Sequence, residues 1–294
     1  MGLPDEPDVR ELIALARRED LGDGDVTTAL MPDGDRPAAF RAIAKECGVF
    51  AGREVAPAIL AAYDPSIDIE WAPSGRDGCD IDHAPTDLAI VRGPLRSLLC
   101  AERVLLNFLQ RMCGVATVTR RYVDAIAGTG SAIYDTRKTT PGWRLIDKYA
   151  VRCGGGRNHR TGLYDAILVK DNHIDPSDRG RIGAALFEML SRIDPDGRKP
   201  AFVEVEADAI EQVEQLLTVV GVDVILLDNF TIGQLREAVA LRESQGMADR
   251  VMLEASGGVN LQTVRAIAET GVERISVGAI THSAPASDIS LERV

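Results

Sequence analysis

An α/β fold in two parts is what this sequence predicts, and three observations carry that expectation. Between residues 131 and 278, six short apolar stretches each end in a polar residue or a glycine. Helical patterns separate the later ones, with 22, 26 and 24 residues between Glu206, Asp228, Glu254 and Gly278. That length accommodates one strand, one helix and two loops, and repeated β-α units imply a parallel sheet with helices outside it. The first ~115 residues lack this rhythm and alternate as the strands of a mixed sheet do. No Gly-rich dinucleotide turn is present, so a closed or nearly closed α/β barrel is predicted for the repeats.

The elements follow in order. Residues 9–18 have an amphipathic helical pattern that stops at Glu19-Asp20-Leu21-Gly22-Asp23-Gly24-Asp25. That acidic run lacks the spacing and the terminal Glu of a calcium loop, so it reads as a solvated turn. Residues 40–44 and 88–91 read as strands. Residues 98–112 form a strong helix with Leu98, Leu99, Val104, Leu105, Phe108, Leu109 and Met112 on one side. Arg103, Asn107, Gln110 and Arg111 fall on the other, where spacing alone makes Arg103 a solvated surface arginine. The barrel strands are predicted at 132–135, 166–170, 201–206, 224–228, 251–254 and 275–278, with helices at 209–220, 232–243 and 261–270.

Composition excludes several classes. The chain has 294 residues, 45% of them hydrophobic and 27% charged, which suits a folded core and no disordered tail or disulfide miniprotein. Its net charge of −12 makes it a poor binder of nucleic acid or anionic membrane. No apolar run approaches the ~18 residues that span a bilayer. The first residues lack a secretion signal and a myristoylation pattern. Five scattered cysteines with no CxxC pair fit reduced thiols in a cytosolic setting.

Chemistry in such a barrel belongs at the C-terminal strand ends. Those ends carry Asp135, Arg137, Lys138, Lys170, Asp171, Glu206, Asp228, Glu254, Ser256 and Gly278. The segment 135–170 holds eight Lys/Arg against three acids, a net charge of +5, and leaves −17 on the rest. An acidic chain that concentrates cations in one Gly-rich segment is built to bind a small polyanion there, the bland rival being a network of structural ion pairs. No His pair has zinc-site spacing, and Glu206 and Asp228 suit a hard ion such as Mg2+. The final two loops, Glu254-Ala255-Ser256-Gly257-Gly258 and Gly278-Ala279-Ile280-Thr281-His282-Ser283, have the glycines a phosphate site uses.

Several strings then come together. They are Asp135-Thr136-Arg137-Lys138-Thr139-Thr140-Pro141-Gly142, Asp147-Lys148-Tyr149-Ala150-Val151, Gly154-Gly155-Gly156-Arg157-Asn158-His159-Arg160 and Lys170-Asp171-Asn172-His173. With Glu102-Arg103, Leu227-Asp228-Asn229 and the two final loops, they resemble the quinolinate phosphoribosyltransferases over nearly the whole chain. Trp143 stands where that family usually has Leu, and Cys113 where Ser is common.

The resemblance implies a type II phosphoribosyltransferase: an N-terminal α/β sandwich (1–115), an incomplete α/β barrel of six to seven strands (116–282) and a C-terminal tail (283–294) that returns to the first domain. It implies a cytoplasmic homodimer, or a hexamer of such dimers, in which Arg103 reaches the neighbouring active site. The implied reaction makes nicotinate mononucleotide, pyrophosphate and CO2 from quinolinate and phosphoribosyl pyrophosphate (PRPP). By similarity Arg103, Arg137, Lys138, His159, Arg160 and Lys170 bind quinolinate. Lys138, Glu206, Asp228, Ser256, Gly257, Gly258, Gly278 and His282 serve PRPP and its Mg2+. Lys138, Lys170, Glu206 and Asp228 are the expected catalytic set, and the cysteines are bystanders. The alternatives are a molybdenum-associated group of the same family with a different substrate, a Schiff-base aldolase using Lys170 or Lys138, and a silent ligand-binding protein.

Overall fold

The computed structural model describes residues 2–175, 181–193, 197 and 199–294. In chain order it contains helix α1 (Pro7–Leu21), strands β1 (Pro37–Ala44) and β2 (Gly48–Val49), helix α2 (Ala56–Tyr63), strands β3 (Asp68–Trp71), β4 (Asp80–Ile81) and β5 (Thr86–Pro94), and helix α3 (Leu95–Ala125). Next come β6 (Ala132–Tyr134), α4 (Arg144–Cys153), β7 (Ile167–Val169), α5 (Ile182–Leu190), β8 (Val203–Ala207) and α6 (Ile210–Leu217). The remaining elements are β9 (Val224–Asp228), α7 (Ile232–Ser244), β10 (Met252–Ser256), α8 (Val264–Ala268), β11 (Arg274–Ser276), α9 (Ala279–His282) and β12 (Ile289–Arg293). They fall into two compact units. The first comprises Met1–Arg120, Lys138–Gly156 and Ala279–Val294, and the second Arg121–Arg137 and Arg157–Gly278.

In the first unit a four-stranded antiparallel sheet runs in the order β12-β1-β5-β3. Its alternation buries Phe40 and Ala42 of β1 and, paired with them, Val91 and Ala89 of β5, and Phe40 and Val91 meet Leu60 of α2 and Leu98 and Leu105 of α3. Helix α1 starts at Pro7, whose missing N–H costs nothing in a first turn, and ends at Gly22. It outlasts the predicted 9–18 and takes in Glu19 and Asp20.

Helix α3 is twice the length of the predicted 98–112, because the apolar spacing continues through the buried Val115, Ala116 and Tyr122. Its supposed polar side is only partly solvated. Gln110 donates to the Ile289 carbonyl at 2.9 Å. Arg111 forms a two-pronged pair with the fully buried Asp147, both contacts at 3.1 Å, and donates to the carbonyls of Thr281 and Ala284. Helix α4 was not expected at all. Trp143 at its start packs on Phe108, ring centroids 4.5 Å apart. Cys113 is buried against Ala51, its Sγ accepting from that residue's N–H at 3.3 Å, and burial pushes its thiol up to about 12.

The second unit is a six-stranded, all-parallel sheet in the order β6-β11-β10-β9-β8-β7. Sequence order goes round the ring, which stays open between β6 and β7. All six predicted strands are present. Val205, Ile225, Leu227, Leu253 and Ile275 are fully buried on the outer face, where helices such as α6 and α7 bring Val213, Leu216 and Leu235 against the sheet. Alternation then turns their strand neighbours, Glu204, Glu206, Leu226, Asp228, Glu254, Ser256 and Arg274, to the inner face. Register puts Glu206, Leu226, Glu254 and Arg274 side by side. The predicted helix 261–270 is shorter, at Val264–Ala268. Asn260 Oδ1 accepts from the N–H groups of Gln262 and Thr263 and forms a turn instead of a first helical turn.

No helix among the described residues is long and apolar enough to cross a membrane.

Candidate active site

The inner face of the second unit is unusually polar for a parallel sheet. The segment after the gap supplies its first residues. Arg157 makes a single parallel bridge to Tyr134, through Arg157 N–H to Ile133 O at 2.8 Å and Asp135 N–H to Arg157 O at 3.0 Å. That bridge places Asn158 and His159 beside Asp135, which is completely buried. Its carboxylate accepts from Asn158 Nδ2 at 2.7 Å and from the His159 N–H at 2.8 Å.

His159 is buried with both ring nitrogens engaged. Nδ1 accepts from the Arg160 N–H at 2.7 Å, so the ring proton sits on Nε2, which faces Glu204 Oε2 at 2.6 Å and Glu254 Oε1 at 3.6 Å. Glu254 in turn accepts from Arg274 Nε at 2.5 Å, and the Arg274 guanidinium lies over the Tyr134 ring at 4.1 Å. Burial pushes Glu204 and Glu254 up to about 7 each. For Glu254 the negative Glu204 adds to the rise, while Arg274 pulls both down.

Arg160 follows His159 directly and is also buried. Desolvation and then the nearby Arg137 guanidinium push it below its ordinary value. Arg137 Nε is buried without a hydrogen-bond partner. A buried guanidinium beside a second, half-buried one that has an idle donor has an unmet need for anionic oxygens. One strand further, Lys170 Nζ donates to Glu206 Oε2 at 3.1 Å. Asp228 Oδ2 accepts from Asn229 Nδ2 at 2.7 Å, and β9 and β10 pair Asp228 with Ser256. Gly257 and Gly258 follow, both at positive φ, 92° and 62°.

Two family models match this chain: the N-terminal domain of quinolinate phosphoribosyl transferase over residues 25–113 and the C-terminal domain over residues 115–292. The chain belongs to the quinolinate phosphoribosyltransferase family. It is therefore a decarboxylating pentosyltransferase of NAD biosynthesis. The curated relatives agree. "Quinolinate phosphoribosyltransferase [decarboxylating] 2b, mitochondrial" of Nicotiana tabacum is 41% identical, over 97% of this chain and 82% of the relative. "Probable nicotinate-nucleotide pyrophosphorylase [carboxylating]" of Bacillus subtilis is 36% identical over 93% and 89%. Among solved structures, the nicotinate-nucleotide pyrophosphorylase from Francisella tularensis superposes with a TM-score of 0.85 at 35% identity, covering 100% of this chain and 99% of the other. NadC from Streptococcus pyogenes gives 0.87 at 34%, covering 97% of each. Neither the family models nor these relatives carry the name of the molybdenum-associated group.

Within the quinolinate phosphoribosyltransferase chain, the second unit gathers Arg137, His159, Arg160, Lys170, Glu206, Asp228, Ser256, Gly257, Gly258 and Gly278. The first unit holds Arg103, exposed on α3, and Lys138, whose carbonyl accepts from Thr281 Oγ1 at 2.8 Å. It also holds His282, exposed, with Nδ1 2.6 Å from Ser283 Oγ. Two strand-end acids named from the sequence, Asp135 and Glu254, have no exposed surface. Sequence reading passed over Glu204, Arg274, Asn158 and Asn229. The available signal was parity: Glu204 shares a face with Glu206, and Arg274 pairs in register with Glu254.

Proposed function

We propose that these residues transfer the phosphoribosyl group of PRPP to the ring nitrogen of quinolinate and then release CO2. The observation that carries the reading is the buried Arg160 guanidinium beside Arg137, whose buried Nε lacks a hydrogen-bond partner. A pyridine with two carboxylates supplies the planar oxygens that guanidinium forks bind in pairs. Lys170 adds a third cation, and Arg103 and Lys138 complete the set by family similarity.

Glu206 and Asp228 take the ribose hydroxyls. Each keeps one carboxylate oxygen without a protein partner among the described residues, a donor set that fits a hydrated divalent ion. Mg2+, when bound with PRPP, would neutralise pyrophosphate charge. Ser256, Gly257, Gly258, Gly278 and His282 hold the 5′-phosphate. Lys138 stands where the leaving pyrophosphate and the incoming ring meet.

The chemistry balances without an enzyme nucleophile. The ribose C1–oxygen bond breaks and its electron pair leaves with pyrophosphate. The pyridine lone pair forms the new C1–N bond. The resulting pyridinium draws electrons from the bond to the 2-carboxylate, which departs as CO2 while the ring carbon takes a proton. Preorganised cations lower the barrier at the charge-separating step.

The same reading makes the protein a cytoplasmic homodimer, or a hexamer of such dimers, with Arg103 completing the partner's site. Five free cysteines support a reducing compartment. The direct test supplies carboxyl-labelled quinolinate, PRPP and Mg2+. Labelled CO2 appears only when all are present, and its release without PRPP would refute the transfer. Arg137→Ala and Lys138→Ala each lower turnover by about 10²–10³-fold without loss of the folded state. Full activity in both would refute the site.

A further inference from the structure

Arg137 and Arg160 come to the second unit's site from two different segments. Arg137 follows β6, whereas Arg160 follows the single bridge that Arg157 makes to Tyr134. A ligand with two neighbouring carboxylates needs its two guanidiniums at one fixed separation, because forked hydrogen bonds tolerate little misplacement. We propose that Asp135 is the positioning residue that sets this separation, by gripping the Asn158 side chain and the His159 backbone from the residue that follows β6. The proposal rests on the reading of Arg137 and Arg160 as carboxylate anchors.

The hydrogen bonds carry it. The backbone bridge stops at Arg157, whose N–H donates to Ile133 O at 2.8 Å and whose carbonyl accepts from the Asp135 N–H at 3.0 Å. One buried side chain then secures the next two residues. Asp135 Oδ2 accepts from Asn158 Nδ2 at 2.7 Å, and Oδ1 accepts from the His159 N–H at 2.8 Å. The far side of Arg160 is tied separately: Asp165 Oδ2 accepts from the Thr161 N–H at 2.7 Å and Oδ1 from the Gly162 N–H at 3.0 Å. Arg160 thus stands between two carboxylates that hold the backbone on either side of it. Its guanidinium keeps the fork for a ligand, since among the described residues its hydrogen bond is a long one, to Ala166 O at 3.5 Å.

Asp165 fixes the turn beyond Arg160, and Asp135 fixes where that turn stands relative to Arg137, two residues along its own segment. Both groups that Asp135 grips are donors, so the gripping side chain must accept at each end. A carboxylate does so at both oxygens, whereas an amide accepts at one only. Its charge also strengthens both bonds. The rival reading is that Asp135 merely steadies the sheet. A general loosening of the sheet would weaken both substrates alike, because Glu206, Asp228 and Ser256 sit on β8, β9 and β10. A positioning role acts on quinolinate first.

The test is steady-state kinetics of the full chain with quinolinate and PRPP varied in turn, and thermal melts to establish that each variant is folded. Asp135→Ala removes both acceptors and raises the quinolinate KM at least about tenfold, while the PRPP KM moves less than about twofold. Asn158→Asp sets two carboxylates against each other and has the same effect. Combining Asn158→Asp with Asp135→Asn exchanges donor and acceptor. The amide at 135 then donates to the carboxylate at 158 and still accepts from the His159 N–H, and the quinolinate KM returns to within about threefold of wild type. If a single variant does not fold, Asn158→Ala replaces it. It loses one bond, keeps the other and raises the quinolinate KM about fivefold. Equal rises in both KM values, an unchanged quinolinate KM in the folded single variants, or a folded exchange variant no better than Asn158→Asp overturns the proposal. Arg160→Ala separates this role from the reading beneath it. An unchanged quinolinate KM there removes the anchor itself, whereas a raised KM there beside an unchanged one in Asp135→Ala removes only the positioning role.

Discussion

A methyl group at position 257 would overlap the side-chain oxygen of Asn229, and the Gly257 backbone already stands at φ 92°. Asn229 is itself at φ 56°, held by its N–H to Ser256 O at 2.9 Å and by its side chain to Asp228. The two loops are therefore fitted to each other: a glycine gives space, an asparagine accepts the left-handed turn, and the Asp228 carboxylate is held by that asparagine. Gly257→Ala is expected to cost about 1–3 kcal/mol of stability. It also raises the PRPP KM at least about tenfold and the quinolinate KM much less. Chemical denaturation and the two KM values check this, and equal rises in both would detach the loop from the phosphate. The Ser256-Gly257-Gly258 string was legible as a glycine turn after a strand, and both glycines stand at positive φ. Asn229 was not, since a sequence shows only that it is not a second acid. The sequence reading also named His159, but a string of letters does not say that its ring faces Glu204 and the Arg160 amide.

At the scale of elements, the β-α repeat was legible because each strand is an apolar stretch that ends in a polar residue or a glycine, at a spacing that fits one helix and two loops. Helix α4 was hidden because its buried face includes Asp147 and Lys148 beside Ile146, Ala150 and Val151, so its letters read as part of the cation-rich segment 135–170. What makes that face burial tolerable is Arg111. Burial raises the Asp147 carboxyl, and the Arg111 guanidinium opposes the rise. The same guanidinium binds Thr281 O, and Thr281 Oγ1 binds the carbonyl of Lys138, so α3, α4 and α9 are tied to the backbone at Lys138. Gly114 of α3 lies so near Pro285 O that a side chain there would overlap it, which keeps the tail against the helix. Arg111→Ala leaves a buried acid uncompensated and is expected to lower stability by about 3–5 kcal/mol. Arg111→Ala with Asp147→Asn should regain a good part of that. Thermal melts of the two variants decide, and a loss below about 1 kcal/mol in the single variant would mean that the pair is solvated.

For the whole molecule, charge and symmetry meet in one question. The chain is acidic overall, yet residues 135–170 carry a net positive charge, and the proposed homodimer adds Arg103 from the neighbour to that pool. Arg103 is exposed on α3, which is how spacing alone read it, and exposure within one protomer is what a residue that serves its partner requires. The consequence can be counted. In a mixed dimer of Arg103→Ala and Lys138→Ala protomers, one site combines an intact Lys138 with an intact Arg103, and the other lacks both. Random exchange makes half of the dimers mixed, each with one working site, so two nearly inactive preparations should recover roughly a quarter of wild-type activity on mixing. The recovery must grow with the time allowed for subunit exchange and vanish when exchange is blocked by cross-linking beforehand. If exchange is confirmed by mass and activity stays at the level of the separate variants, each site is complete within its own protomer and Arg103 serves the chain that carries it.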